Sequence, residues 1–299
     1  MQITAEIKGF EAYLRLERAF SDNSIEAYLR DIEKFAQFIN SEFPETMLSE
    51  ITLTHFSVYL NHLNSLDIAK SSQARNISGL KAFFKYLIEE DIISQNPTEL
   101  LEAPKNDRKI PEVLTIDEIE AMISAIDLSR PDGIRNKAII EILYGCGLRV
   151  SELTDLKLTN YFQSEGILRV TGKGSKMRLV PINTTAIHHL NIYITQVRKI
   201  QEIKKKYEDI IFLNRRGSAL SRVWVFNIVK DLAKNAGITK NISPHTFRHS
   251  FATHLYDGGA DLRIIQEMLG HESITTTEIY ASVSGQYLRD TLIQFHPRF

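Results

Sequence analysis

The chain has 299 residues, a length that suggests about two domains, and 43% of them are hydrophobic, which excludes a disordered or collagen-like chain. Its 36 Lys and Arg residues nearly balance 37 Asp and Glu residues, so the chain lacks the overall basic excess that indicates a nucleic-acid-binding protein. Cys146 is the one cysteine, which excludes an internal disulfide framework.

The charge is unevenly distributed along the chain. Residues 1–110 carry a net charge of −5, whereas residues 166–216 carry a net charge of +8. A local positive field can therefore form around the second segment, although the whole chain is nearly neutral.

The first hundred residues show helical periodicity and predict a four-helix bundle over residues 1–104. Asn23, with Glu26 three positions later, is expected to cap the second helix. The apolar residues at helical spacing include Phe10 and Leu14, Ile25 and Phe35, residues 54–63, and Ile77 and Ile88. Prolines then interrupt the pattern, and residues 105–112 are interpreted as an interdomain linker.

The second domain, residues 113–299, is predicted to be mostly helical with a small antiparallel sheet. It opens with Thr115 and Glu118, a capping-box pair. In GILRVTGKGSKMRLVPI, apolar residues flank a glycine-rich turn, which predicts a β-hairpin with Lys173 in or beside the turn. Helices resume afterwards, and the last begins at about residue 284.

Two local patterns place a cation where it could bind an anion. In GCGLRVSEL, Arg149 and Glu152 are three residues apart and share a helix face, so Glu152 could orient the guanidinium group. A surface ion pair is the alternative. Lys173 could reach a phosphate or donate a proton, although TGKGSK does not fit the P-loop register and a solvated turn lysine remains an alternative.

A third pattern, SPHTFRHSFATHL, places His245 and Arg248 on one face near a helix start marked by Pro244. His245 and His249 also have the spacing of zinc ligands. The acidic residue of H-E-x-x-H is missing, so no metal is expected, and His249 is interpreted as a packed histidine.

The fourth pattern is LGHESITTTEIY, in which His271 follows a possible helix C-cap at Gly270 and precedes Tyr280. Most tyrosines are packing residues, but a phenol can act as a covalent nucleophile where cations favour its phenolate form. Together the four patterns suit phosphoryl transfer at a phosphodiester by protein cations, without a metal or another cofactor.

In their order and spacing, these patterns resemble those of the tyrosine recombinases (phage integrase family), most of all the Xer-type site-specific recombinases that resolve chromosome dimers. The resemblance covers nearly the whole chain. It implies a mainly α fold, with an N-terminal SAM-like core-binding bundle and a mostly helical catalytic domain containing a small antiparallel sheet, together forming a C-shaped DNA clamp.

The resemblance also implies a role for each residue at the phosphate. Arg149 and Arg248 would bind the non-bridging oxygens, and Lys173 would protonate the leaving 5′ oxygen. His245 would assist proton transfer, and His271 would position the phosphate.

The remaining roles concern the nucleophile and its surroundings. Tyr280 would attack to give a 3′-phosphotyrosyl enzyme, and two strand exchanges would pass through a Holliday junction. Glu152 and His249 would support the site. Six basic residues outside it are expected to contact DNA, with a solvated helix face as the alternative for the first three. They are Arg75, Lys81 and Lys85 on the fourth helix and Lys105, Arg108 and Lys109 in the linker.

The expected partners are a double-stranded recombination site and further protomers, in a homo- or hetero-tetramer joined through exchange of the C-terminal tail. Packing of the tail on its own domain is the alternative. A second recombinase and a DNA translocase are further expected partners, in chromosome partition at cell division. The sequence lacks a signal peptide and an apolar run of roughly 18 residues, so a cytoplasmic, nucleoid-associated protein is expected.

Three alternative functions stay open at this stage. A type IB topoisomerase uses the same nicking chemistry without a second site. An integrase of a mobile element would share the recombination chemistry. A non-catalytic DNA-binding protein would need the phosphate-binding residues but no nucleophile, so the presence of Tyr280 argues against it.

Overall fold

The computed structural model describes residues 3–18, 20–104, 112–172, 176–270 and 285–298. The chain divides into two compact units, Met1–Lys109 and Ile110–Phe299. The described residues are mostly helical with one three-stranded antiparallel sheet, which confirms the predicted fold class. None of the helices in these ranges has the length and apolar character needed to cross a membrane.

Among its described residues, the N-terminal unit contains four α-helices around an aromatic core. Phe35 and Phe56 stack with their ring centroids 4.9 Å apart, and Phe84 meets Phe56 edge to face at 5.4 Å. The helices are α1 (Thr4–Leu16), α2 (Asp22–Glu42), α3 (Leu53–Ser65) and α4 (Lys70–Glu89), with a 3-10 turn at Leu48–Glu50.

The predicted cap of α2 at Asn23 is wrong. Ser21 is the N-cap residue: its backbone is extended, and its Oγ accepts a hydrogen bond from the backbone N–H of Ser24. Asn23 lies within the first turn of the helix. Serine and asparagine both favour N-cap positions, so residue type alone did not distinguish Ser21 from Asn23.

The second unit consists of eight α-helices and three β-strands among its described residues. The helices are α5 (Ile116–Ser124), α6 (Pro131–Cys146), α7 (Val150–Thr154), α8 (Thr184–Ile192), α9 (Arg222–Asn235), α10 (Pro244–Asp257), α11 (Leu262–Leu269) and α12 (Gly285–Phe295). A π-helical turn, Tyr193–Val197, continues α8, and short 3-10 turns lie at Leu158–Asn160, Arg198–Ile200 and Lys205–Tyr207. The strands are β1 (Tyr161–Phe162), β2 (Ile167–Thr171) and β3 (Met177–Pro181).

The predicted hairpin and capping box both form. Strands β2 and β3 pair antiparallel, with Val170 opposite Arg178. The side chain of Thr115 accepts from the backbone N–H of Glu118, whose carboxylate accepts from the N–H of Thr115 at 2.7 Å. The strands of the hairpin therefore pack into the unit's core, in which Leu168, Val170 and Val180 are buried.

The C-terminal helix α12 packs against its own unit. Leu288 and Leu292 are buried in the hydrophobic core of that unit, and Phe295 is partly buried against it. In this structure of a single chain, the tail packs on its own domain, which is one of the two arrangements expected from the sequence.

Candidate active site

A buried carboxylate, Glu152, lies at the centre of the candidate site. The backbone N–H of Arg149 donates to Glu152 Oε2 at 2.8 Å, and Arg149 Nη1 donates to Oε1 at 2.9 Å. Only 1% of the Glu152 side chain is exposed. The predicted contact between these residues therefore forms a buried bridge rather than a surface ion pair.

A second arginine, Arg178, binds the same carboxylate and was not predicted from the sequence. Its Nη1 donates to Glu152 Oε1 at 2.6 Å and its Nη2 donates to Oε2 at 2.9 Å, a two-pronged geometry that favours strong pairing. One sequence signal could have found it. Strand alternation places Arg178 on the same face as the buried Val180, and a charged residue on a buried face needs a partner.

These contacts keep Glu152 ionised. Burial alone raises the pKa of its carboxyl group, but the hydrogen bonds and charge of Arg178, with the bonds from Arg149, outweigh burial and hold the pKa below its usual range. The site therefore has a fixed negative charge at neutral pH, with a guanidinium group on either side.

A third arginine, Arg248, is almost fully buried on α10. Its Nη1 donates to the carbonyl of Gly147 at 2.8 Å, in the turn just before Arg149. Burial, followed by the nearby charge of Arg149, lowers the pKa of Arg248 to about 10, so it remains a cation at neutral pH. Pro244 occupies the first turn of α10, as the sequence predicted.

The three arginines donate to three consecutive carbonyl oxygens at the C-terminus of α11. The pairs are Arg178 Nε to Met268 O at 2.9 Å, Arg248 Nη2 to Leu269 O at 2.5 Å, and Arg149 Nη2 to Gly270 O at 3.1 Å. Carbonyl groups at a helix C-terminus lack donors within the helix, and cations are favourable there. The cluster therefore holds the end of α11.

Gly270 ends α11 in the left-handed conformation, with φ of 66°, which confirms the predicted helix C-cap. A Cβ atom at this position would lie 3.1 Å from Cδ of Arg178. Both the backbone conformation and the close approach of Arg178 therefore favour glycine here.

The histidines of the third pattern differ in exposure. His245 is exposed in the first turn of α10, and His249 is half-buried on the same helix. Further along, His254 Nδ1 lies 2.7 Å from the hydroxyl of Tyr144. In the ranges that the structure covers, no cluster of three or more His, Cys, Asp or Glu side chains could hold a metal ion.

Six predicted site residues lie outside the described ranges. They are Lys173, His271 and Tyr280 at the active site and Lys105, Arg108 and Lys109 in the linker. Described elements adjoin the first two in the sequence: β2 and β3 flank Lys173, and α11 ends two residues before His271.

The basic residues of α4 have different surroundings. Arg75 Nε donates to Asp31 Oδ2 at 2.9 Å, and Lys85 Nζ lies 3.5 Å from Glu89 Oε1. Lys81 is exposed. Their contact with DNA stays a prediction.

Comparison with known proteins extends the motif resemblance to the whole chain. Residues 112–286 match the phage integrase family, and residues 7–91 match the phage integrase N-terminal SAM-like domain. The chain is 40% identical over 292 residues to "Tyrosine recombinase XerD" of Oceanobacillus iheyensis, covering 98% of both chains. The same identity and coverage relate it to the protein of that name from Staphylococcus aureus.

Solved structures share the fold. The XerH site-specific recombinase in a post-cleavage complex with palindromic difH substrate gives a TM-score of 0.69 at 24% identity, over 95% of this chain and 83% of that one. The Tn1549 transposon integrase (aa 82–397) in complex with circular intermediate DNA gives 0.73 at 21% identity, over 96% and 98%. The chain therefore belongs to the phage integrase family, as a tyrosine site-specific recombinase similar to the Xer enzymes.

Proposed function

We propose that Arg149 and Arg248 bind the scissile phosphate of a double-stranded recombination site. The observation that carries this proposal is the charge of the arginine cluster: Arg149 and Arg178 bind the carboxylate of Glu152, and Arg248 lies close enough for the same carboxylate to act on its charge, so three cations face one anion. A phosphodiester carries one negative charge, and further charge develops on its oxygens during transfer. A preorganised cationic site stabilises that transition state.

The proposed site has donors to spare for a phosphate. A guanidinium group has five N–H donors. The hydrogen bonds described above use two of them on Arg149 and two on Arg248. Each arginine can therefore bind a non-bridging oxygen while it keeps its protein contacts.

The proposed reaction is a transfer of the phosphoryl group to a tyrosine. Tyr280 Oη attacks phosphorus while the bond from phosphorus to the 5′ oxygen breaks. His245 assists removal of the phenol proton, Lys173 gives a proton to the 5′ oxygen, and His271 holds the phosphate. A 5′-hydroxyl from a second site then attacks the phosphotyrosine, which restores the phosphodiester and releases Tyr280.

A nicked suicide duplex tests this proposal. The duplex is first selected by the protein from random-sequence DNA and then incubated with it in EDTA. Wild type is expected to form a denaturation-resistant protein–DNA band, and Tyr280→Phe is expected to form none, because it lacks the attacking oxygen. If wild type forms no such band, the proposal is wrong, and a band that EDTA removes contradicts the metal-free mechanism.

The topoisomerase alternative is distinguished by the products. The proposal requires exchange between two duplexes and therefore predicts recombinant product from plasmids carrying two copies of the selected site. Relaxation of supercoils without any recombinant product would favour a type IB topoisomerase. Dimer resolution in the host, rather than integration of a mobile element, is the biological role that we propose, since the relatives that are 40% identical over 98% of the chain are Xer recombinases.

Contacts with DNA phosphates outside the active site are proposed to add affinity without sequence preference. The proposed contact residues are Arg75, Lys81 and Lys85 on α4 and Lys105, Arg108 and Lys109 in the linker. Each phosphate neutralised lowers the slope of log affinity against log salt by about 0.9. Lys81→Ala is expected to weaken this slope by about that amount, whereas the exposed Lys8→Ala on α1 is expected to leave it unchanged.

We further propose a homo- or hetero-tetramer on two DNA sites, with the C-terminal tail exchanged between protomers. The contacts that support this idea are those the tail makes within its own unit, where Arg298 Nη2 donates to the buried Glu141 at 2.8 Å. A neighbouring copy presents the same acceptor. A chain that ends at residue 283 is therefore expected to form smaller complexes with DNA carrying two sites, as measured by sedimentation. A second recombinase and a DNA translocase are proposed as further partners in the cytoplasm.

A further inference from the structure

We infer that Arg178 is a positioning residue for recombination, which aligns Arg149 and the C-terminal turn of α11 for the reaction at the phosphate. This inference rests on the proposed function. Arg178 differs from Arg149 and Arg248, because all three of its nitrogen atoms donate to protein acceptors, whereas the side-chain hydrogen bonds described for the other two arginines use only Nη1 and Nη2.

The first part of the role is control of Glu152. The four hydrogen bonds described at this carboxylate come from Arg178 and Arg149, two from each. Arg178 supplies the charge that pairs with Glu152, so Arg149 shares the carboxylate instead of neutralising it alone. Without Arg178, the full attraction of a buried carboxylate would act on Arg149 and compete with the phosphate for its guanidinium group.

The second part is control of the end of α11. Arg178 Nε donates to Met268 O at 2.9 Å, and its side chain packs against Gly270. The chain continues from this point to His271 and Tyr280. Arg178 therefore fixes the place from which the nucleophile's segment leaves the helix.

Arg178 also belongs to the hairpin that carries Lys173, because it lies on β3 opposite Val170. One side chain thus connects three parts of the chain: the hairpin, the start of α7, and the end of α11. Lysine cannot replace these contacts, since a single ammonium group cannot form the two-pronged carboxylate pair and reach the carbonyl together.

The test measures the first-order rate of covalent complex formation by single-turnover quench at saturating protein, with the suicide duplex described above. Arg178→Met is expected to lower this rate about 100-fold, the order of loss seen when one preorganised donor is removed. Duplex affinity is expected to stay within about threefold, since all three nitrogen atoms of Arg178 donate to protein acceptors. Arg178→Lys is expected to recover part of the rate.

The matched control is Arg135→Met. Arg135 is another buried arginine of the same unit that donates to a backbone carbonyl, that of Leu213 at 3.1 Å. Thermal melts of both variants give the folded fraction at the assay temperature. If Arg178→Met cleaves within about threefold of wild type, or loses rate only in proportion to its folded fraction as the control does, the inference is overturned.

Two further measurements separate positioning from simple charge neutralisation. Adding Glu152→Gln to Arg178→Met removes the buried charge, so we expect it to restore the melting temperature and the part of the rate that is lost to competition at Arg149. Full recovery of the rate would contradict the positioning of α11 by Arg178. A methylphosphonate at the scissile position removes one anionic oxygen of the phosphate. Stabilisation of the transition state then depends less on Arg149, so the ratio of the wild-type rate to the Arg178→Met rate is expected to fall below about 10. An unchanged ratio would contradict action through Arg149.

Failure of the inference is distinguishable from failure of the proposed function. If wild type forms no covalent complex, the proposed function is wrong. If wild type does and Tyr280→Phe does not, while Arg178→Met reacts normally, only the role of Arg178 is wrong.

Discussion

Arg248 Nη2 donates to the carbonyl oxygen of Leu269 at 2.5 Å, which joins a proposed phosphate-binding guanidinium group to the last residue of α11. The residue after the cap of this helix is His271, and Tyr280 follows in the same segment. Arg149 makes the corresponding contact with Gly270. The two guanidinium groups that we propose to bind the phosphate therefore also hold the end of the helix that precedes the proposed nucleophile, Tyr280.

Arg248→Lys should therefore affect catalysis more than binding. Lysine keeps the charge, but its ammonium group cannot donate to Gly147, Leu269 and a phosphate oxygen in one fixed geometry. We expect the covalent complex to form about 100- to 1,000-fold more slowly, with a smaller loss of duplex affinity in a gel-shift titration. A rate within about threefold of wild type would show that the bridge from phosphate to α11 is unimportant.

Glu152→Gln should destabilise the protein in a pH-dependent way. Loss of the charge between Arg149 and Arg178 is expected to lower the free energy of unfolding by about 3 kcal/mol at pH 7. The folded pKa of Glu152 lies below its usual value, so its stabilising effect is complete above the unfolded value of about 4.3 and is lost as the pH falls through the folded pKa. In urea unfolding, the difference in unfolding free energy between wild type and Glu152→Gln should narrow below about pH 4.3. Replacement of the exposed Glu33 by Gln should have little effect at pH 7 or in acid, and a difference for Glu152→Gln that widens in acid contradicts this assignment.

Arg298→Met should have its largest effect at high pH. Burial raises the pKa of Glu141, and the charge of Arg298 opposes that rise. Removing Arg298 leaves a buried carboxylate without its partner and is expected to cost about 3 kcal/mol of unfolding free energy at pH 7.5. Because a carboxyl group with a raised folded pKa is neutralised as the pH falls through that pKa, the cost should shrink toward pH 5 in urea titrations; an equal cost at both pH values would exclude Glu141 as its origin.

Ser21→Ala should destabilise the N-terminal unit, and Asn23→Ala should serve as its control. Ser21 Oγ accepts the hydrogen bond of the Ser24 N–H, so its loss is expected to cost about 1 kcal/mol. Asn23 is exposed within the first turn and its replacement is expected to be nearly neutral. Chemical denaturation of the two variants gives the comparison, and the opposite ranking would restore Asn23 as the cap.

The sequence by itself determined the elements and the chemical class of this protein. Helical spacing from Phe10 to Ile88 and alternation around the hairpin depend on neighbours in the chain, so they could be recognised locally. The four motifs identified the family for a similar reason, since residues such as Arg149 and Glu152 are three positions apart and meet wherever that turn of helix forms.

Tertiary structure alone decided how those motifs meet. Arg178 and Glu152 are 26 residues apart and Arg149 and Gly270 are 121 apart, so no local pattern predicts either contact. Burial then gave these contacts their strength, because a carboxylate that is 1% exposed must take its hydrogen bonds from whichever cations the packed core brings to it. For this reason Glu152 could be proposed from the sequence as a supporting residue, whereas its second partner became visible only in the folded chain.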